Sequence, residues 1–341
     1  MSGGLSAFEK RLLNLLQTGL PIVERPYIKI GRALGVDEQT ALKATRELLK
    51  KGVIRRIGAV INWRAAGKAS TLVTAFVPEK KLKKVVAAVN HLEGVSHNYL
   101  REHPFNLWFT LRADSQSEIR TTLAKLSKRF ALDFHSLPVQ RTFKLDVRFD
   151  AQSGGRRLLP GYRTLNAERS PRRSRSLLAE GEAKPGCSLN AIDKQILERL
   201  QGGVNVVAKP FDFLGKDEFE NYDCLLHIAG MLEEGIIYRI GAVVNHHKLG
   251  FVANAMFVCK VSGAAVVDIG QKLAKLKIVS HCYQRKPFAG WPYNLYAMMH
   301  GRRQTDIRRV VEKFVKSQGL EKWELLATEA RLLNHKNQRV L

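Results

Sequence analysis

Val95-Ser-His-Asn-Tyr-Leu-Arg101 returns as Val279-Ser-His-Cys-Tyr-Gln-Arg285, five identities in seven at an offset of 184. Upstream, Arg56-Ile-Gly-Ala-Val-Ile-Asn62 returns as Arg239-Ile-Gly-Ala-Val-Val-Asn245, six in seven at an offset of 183. Leu16-Gln17 with Arg25-Pro26-Tyr27 matches Leu200-Gln201 with Lys209-Pro210-Phe211, also at 184. Downstream, Asn106-Leu107 matches Asn294-Leu295 at 188, because the second copy carries four extra residues around Phe288–Pro292. Near-constant offsets over some 90 residues mark a tandem duplication of a unit of about 150 residues.

Each copy divides again. Over Phe8–Arg56, Leu12, Leu15 and Leu16 have helical spacing, Ile28–Leu34 is helix-like, and Asp37 is placed to cap a helix over Glu38–Lys51 that stops at Gly52. Three short helices followed by Val-Ile-Arg-Arg read as a winged helix-turn-helix. Strands are expected at Thr71–Val77, Val95–Glu102, Asn106–Arg112 and Leu132–Val139, with helices at Lys80–Leu92 and Ser117–Phe130. That βαββαβ order is the ferredoxin-like split βαβ, and the second copy repeats it from Ala253 to about Ala330. The predicted fold is α+β, a tandem repeat of winged helix-turn-helix plus ferredoxin-like domain. Its segments are 1–62, 63–150, 186–245 and 246–341, joined by a Gly-, Ser-, Pro- and Arg-rich linker at 151–185.

Of 341 residues, 56 are Lys or Arg and 31 Asp or Glu, a net charge of +25. The linker's eight basic and three acidic residues contribute +5, so most of the excess belongs to the folded parts. Such an excess calls for a polyanionic partner: nucleic acid, an anionic membrane surface or a highly carboxylated small molecule. No run of about 18 apolar residues exists to span a membrane, and Met1–Leu16 lacks the pattern of a signal peptide. The four cysteines (Cys187, Cys224, Cys259, Cys282) contain no C-x-x-C pair. Free thiols in a reducing cytoplasm are expected, with neither a disulfide framework nor a zinc or iron–sulfur site.

A helix-turn-helix in a basic chain first suggests a DNA-binding regulator. The third helix offers Asp37, Glu38, Gln39, Thr40, Lys43 and Arg46, with acidic groups at the end that would meet phosphates. In the second copy, Lys216–Asp223 holds four acidic residues and two aromatics. A helix-turn-helix retained as a packing and dimerisation scaffold fits these residues better than DNA recognition.

The stronger signal is the second strand of each ferredoxin-like unit. Alternate strand residues share a face, so His97, Tyr99 and Arg101 point one way and Ser96, Asn98 and Leu100 the other; His281, Tyr283 and Arg285 repeat the row. Turned toward an anionic ligand the row is coherent: Arg forks a carboxylate, Tyr donates a hydrogen bond, and His moves a proton or ligates a metal. The alternative is that it hydrogen-bonds within an interface between the copies.

At these residues the chain resembles the siroheme decarboxylases, a branch of the Lrp/AsnC-like proteins. The resemblance rests on R-I-G-A-V-x-N, on V-S-H-x-Y-x-R and on Trp291-Pro-Tyr-Asn-Leu-Tyr296, with Pro104-Phe-Asn-Leu-Trp108 in the first copy. It covers nearly everything outside the linker and implies a fused form of two related subunits, pairing as an intramolecular pseudo-dimer that leaves room for further homodimerisation. Family members remove CO2 from two acetate side chains of siroheme to give 12,18-didecarboxysiroheme, on the way to heme d1 or heme. Siroheme carries eight carboxylates, in keeping with the charge. The resemblance implies no cofactor beyond the siroheme substrate. It assigns His97 and His281 as proton donor, axial ligand of the siroheme iron, or one of each, with Arg101 and Arg285 holding carboxylates. Tyr99 and Tyr283 join them as substrate-binding residues. His103 is a further candidate for a substrate carboxylate or a surface histidine at a strand end. Arg56 and Arg239 are carboxylate forks or structural groups, and Trp108 and Tyr296 are core or pocket wall. His246-His247 and Lys80-Lys81 are expected as solvated surface. The replacement of Asn98 and Leu100 by Cys282 and Gln284, with loops of unequal length, implies that the two pockets are not equivalent.

Overall fold

The computed structural model describes residues 4–146, 148–151, 189–212 and 224–333. Nearly all of the expected linker, Cys187 and the acidic Lys216–Asp223 stretch lie outside the described residues. Two compact units form, and neither is one of the repeats. The helix-turn-helix parts of both copies make one unit and the ferredoxin-like parts make the other, so each fold element is completed by its duplicate. The divisions fall after Ala66 and Gly250 rather than at 62 and 245. Asn62 and Asn245 explain the shift, because each side chain accepts a backbone N–H of the turn that follows, from Ala65 and His247.

In the first unit, α1 (Ala7–Thr18) begins at a reciprocal cap: Ser6 Oγ accepts the Glu9 N–H and the Glu9 carboxylate accepts the Ser6 N–H. It buries Leu12, Leu13 and Leu16. Then come α2 (Pro26–Leu34), the left-handed Gly35 (φ 73°), and α3 (Glu38–Lys50), whose cap Asp37 accepts the Thr40 N–H. Strand β1 (Ile54–Ile61) closes the first wing. On α3, Arg46 Nε donates to the Val206 carbonyl (2.9 Å) and Glu38 pairs with Arg25. Two of the side chains that would face a DNA groove are thereby engaged within the protein.

Residues 148–150 belong to this unit, not to the ferredoxin-like domain that 63–150 was expected to form, and so does Ala151, the first residue of the expected linker. The Gln17 amide donates to the Phe149 carbonyl and accepts its N–H, both at 2.8 Å, and Asn14 binds Asp150 (2.8 Å) and the Ala151 N–H (2.9 Å). Phe149 also stacks on His246, 5.4 Å between centroids, which makes His246 a packing residue rather than the solvated one expected.

In the second unit, β2 (Ala69–Ala75), α4 (Glu79–Asn90), β3 (Val95–Arg101), β4 (Leu107–Ala113), α5 (Gln116–Phe130) and β5 (Phe134–Leu145) form the first ferredoxin-like sheet, in the order β3-β4-β2-β5. Lys81, expected to be solvated, donates to the Phe130 carbonyl at the end of α5 (2.7 Å).

The second copy begins in the first unit. There α6 (Ala191–Gly202) and α7 (Cys224–Glu233) precede β6 (Ile237–Val244), which pairs antiparallel with β1 so that Gly241 lies opposite Gly58. A Cβ on Gly58 would lie 2.6 Å from the Leu200 carbonyl oxygen at the end of α6, and one on Gly241 would strike the Leu16 carbonyl of α1. The glycine of R-I-G-A-V is required by that close approach.

The chain then re-enters the second unit with β7 (Ala253–Cys259), α8 (Val266–Lys275), β8 (Val279–Arg285), β9 (Leu295–Gly301), α9 (Gln304–Gln318) and β10 (Trp323–Arg331). Pairing of β5 with β8 and of β3 with β10 closes the two sheets into an eight-stranded barrel. The expected end of β5 at Val139 falls short, because Val139–Leu145 pairs entirely with the other copy. One core lies between each of the two sheets and its helices. A third, with Trp108, Leu137, Met256, Val258, Tyr296 and Leu326, contains strand and loop residues of both copies and no helix. The strand ends are exchanged: Phe143 is buried in the second copy's core and Leu333 in the first's.

Candidate functional site

Pairing across the sheet sets the face of each row. Tyr99 lies opposite Trp108 and Tyr283 opposite Tyr296, so both rows belong to the barrel's helix-free core side. Asn98 takes the other face, donating to Asn90 of α4 (2.9 Å), and Cys282 joins the core under α8, its thiol donating to the Gly270 carbonyl (3.7 Å). His97, Tyr99 and Arg101 therefore share one side, as do His281, Tyr283 and Arg285.

Ser96 departs from the alternation. The register slips between Val95 and His97 and again between Val279 and His281, a bulge in the same place in both copies. It brings Ser96 Oγ to 3.1 Å from His97 Nδ1 and Ser280 Oγ to 2.8 Å from His281 Nδ1. A serine before each histidine was visible in V-S-H, but strict alternation places the two on opposite faces.

The arginines end the rows at the barrel seams. Arg101 is 3% exposed; one Nη donates to the Leu326 carbonyl (3.0 Å) and Thr328 Oγ1 (2.9 Å), the other to Met298 Sδ (3.8 Å). Arg285, 7% exposed, donates to the Leu137 carbonyl. Each guanidinium also lies over the tyrosine of its own row, 5.6 Å from the Tyr99 centroid and 5.1 Å from that of Tyr283. Neither has an ion-pair partner among the described residues, and each Nε–H is buried without a hydrogen bond. Burial lowers Arg101 from the ordinary arginine range to about 10 and lowers Arg285 as well. The interface alternative accounts for most of the Arg101 donors and for one donor of Arg285, and the uncompensated charge remains as a positive potential beside both tyrosines.

His103 has an internal carboxylate: its Nε2 lies 3.0 Å from Glu324, which also accepts the Tyr293 hydroxyl (2.5 Å). Glu324 thus fills the place a substrate carboxylate was expected to take. Trp108 and Tyr296 are buried core residues packed with Trp291, which donates to the Tyr296 hydroxyl (2.7 Å) and lies against His103 and Phe105. Burial, more than the opposing Trp291 and Arg285, pushes the Tyr296 hydroxyl up to about 12, so it stays a neutral donor. Arg56 and Arg239 belong to the other unit. Arg56 lies beside Gly58 and Gly203 at the end of α6, and Arg239 beside Gly241 at the end of α1. Cations at helix C-termini are favourable, and that placement accounts for both without a substrate carboxylate. Among the described residues no group of three or more His, Cys, Asp or Glu is arranged to hold a metal ion.

Comparison with known proteins places this geometry. A model of the siroheme decarboxylase NirDL-like HTH domain matches residues 9–55, and a model of the AsnC-like ligand-binding domain matches 65–144 and again 248–332. The siroheme decarboxylase of Hydrogenobacter thermophilus is 32% identical over 93% of this chain and 90% of its own length. The siroheme decarboxylase alpha subunit of Oleidesulfovibrio alaskensis is 41% identical over 42% of this chain and 88% of its own. The crystal structure of the siroheme decarboxylase NirDL in co-complex with an iron-uroporphyrin III analogue has a TM-score of 0.69 at 29% identity, covering 96% of this chain and 93% of that one.

Proposed function

The chain belongs to the siroheme decarboxylase family, and from that membership we propose that it is a carbon–carbon lyase removing CO2 from two acetate side chains of siroheme to give 12,18-didecarboxysiroheme, for heme d1 or heme synthesis. The similarity runs through both copies and favours this activity over a DNA-binding regulator. The observation that carries the reading is the duplicated His–Tyr row on the barrel's core side, backed at each seam by a buried guanidinium with no carboxylate partner among the described residues. A substrate rich in carboxylates supplies the missing negative charge.

The chemistry is an exchange of CO2 for a proton. The bond from the acetate methylene to its carboxylate breaks, the electron pair stays on the methylene carbon and spreads into the conjugated macrocycle, and a proton converts that carbon to a methyl group. No oxidant or reductant enters the balance, and the proposal includes no cofactor beyond siroheme. His97 and His281 are the proton donors or the axial iron ligand, Tyr99 and Tyr283 donate to substrate oxygens, and Arg101 and Arg285 supply positive potential at their backs.

A half-length relative named as a subunit supports the view that one chain holds both members of a pair, with any further homodimer added to it. No helix among the described residues is long and apolar enough to cross a membrane. A cytoplasmic location is part of the proposal, in keeping with Cys259 and Cys282 as buried thiols whose burial pushes their pKa up.

The test is anaerobic incubation with siroheme followed by mass spectrometry of the tetrapyrrole. Loss of two CO2 per siroheme is expected; siroheme recovered unchanged while bound to the protein refutes the activity.

A further inference from the structure

We infer that Ser280 and His300 are positioning residues that hold His281 in a single tautomer, with hydrogen on Nδ1. The catalytic part of this inference rests on the proposed role of His281.

Ser280 Oγ is buried and has three neighbours: the Met298 carbonyl at 3.0 Å, His281 Nδ1 at 2.8 Å and His300 Nε2 at 3.0 Å. A hydroxyl has one proton to give and two lone pairs. A carbonyl only accepts, so the Ser280 proton goes to Met298. Both imidazoles must then donate to Ser280, His281 through Nδ1–H and His300 through Nε2–H. In the neutral ring His281 Nε2 carries the lone pair, and in the protonated ring it carries the proton available for transfer. The hydrogen bond on one ring nitrogen sets what the other can do.

The first copy lacks this device. Ser96 Oγ meets His97 Nδ1 (3.1 Å) and Thr110 Oγ1 (2.7 Å), a hydroxyl that also accepts the His97 N–H. Either hydroxyl can donate to the other, so His97 is served in both tautomers. The position of His300 is filled by Arg112: both residues donate their N–H to the turn before the row, to Ile278 and Gly94 respectively. Ser280 thus admits one tautomer of His281 and Ser96 admits both of His97, which separates two histidines of identical local sequence.

The experiment uses the full chain labelled with 15N-histidine and two-bond 1H–15N correlation spectra, which distinguish imidazole tautomers. Loss of one signal in His281→Asn assigns it among the ten histidines. Neutral His281 is expected to show Nδ1–H alone, and Ser280→Ala to turn it into a mixture. In the same variants, Ser280→Ala and His300→Leu should lower kcat about 10–100-fold, the usual cost of losing such a support, with KM little changed. His300→Gln keeps an amide donor near the position of Nε2 and should recover most of kcat. An Nε2–H tautomer in the parent chain, or an unchanged spectrum in Ser280→Ala, overturns the inference. Full turnover in His281→Asn overturns the role of His281, and with it the catalytic part, while the tautomer spectra still decide the hydrogen-bond assignment.

Discussion

Arg101 and Arg285 hold equivalent places at opposite seams of the barrel, each donating to a main-chain carbonyl on the last strand of the other copy, Leu326 for Arg101 and Leu137 for Arg285. Each joins the two copies and carries a buried charge. Replacing either with Ala should cost about 1.5–3 kcal/mol of stability, as expected when a hydrogen bond from a charged group is lost, and should also weaken siroheme binding. Lys should restore only part, since it lacks the planar fork. Urea denaturation beside a siroheme titration checks both; an unchanged midpoint removes the seam role, and unchanged affinity removes the substrate role.

His97 and His281 should fail differently. The variant that removes the proton donor should keep siroheme bound while decarboxylation slows about 10²–10⁴-fold, the usual size of general acid catalysis. The variant that removes an iron ligand should shift the absorption spectrum of bound siroheme. Spectrum and rate measured on each Ala variant assign the roles, and two variants like the parent in both would make the rows structural.

Gly58 and Gly241 should tolerate no side chain. A Cβ on either runs into a helix-end carbonyl of the other copy, Leu200 or Leu16, so Gly58→Ala and Gly241→Ala should each destabilise by about 1–3 kcal/mol, the range for overpacking. Gly230 lies in α7 with open space around its Cα; there Ala should stabilise by about 0.5–1 kcal/mol on helix propensity alone. Thermal unfolding of the three variants checks the contrast in sign.

His135 gives the barrel a pH dependence. Its ring stacks on Phe288 at 4.0 Å between centroids, and burial holds its pKa below the ordinary 6.5, against a smaller upward pull from Asp133. Between the folded and unfolded values the unfolded chain binds more protons, so stability rises with pH. The contribution is complete above about 6.5 and is lost as pH falls through the lower folded value. His135→Phe should flatten that part of the stability–pH curve, and an unaltered slope would exclude His135 as its source.

The sequence carried the parts of the fold that repeat within one copy. Capping residues, helical spacing and the alternation of β3 were legible because their partners lie nearby in the chain, and Asp37 caps α3 as expected. What could not be read depends on the other copy: the extension of β5 to Leu145, the Leu137 and Leu326 carbonyls that receive the arginines, and Glu324 opposite His103. The bulges at Ser96 and Ser280 escaped for another reason, since nothing in V-S-H marks an extra residue in the ladder.

The exchanged strand ends also govern assembly. With Phe143 seated in the second copy's core and Leu333 in the first's, neither ferredoxin-like half has a finished interior of its own, so pairing and folding are one event. Joining the halves in one chain fixes their stoichiometry at one to one and removes the diffusional search for a partner. It also handicaps the like-with-like pairs that two free subunits of shared ancestry can sample. Residues facing across each seam are then free to diverge in step, one seam independently of the other.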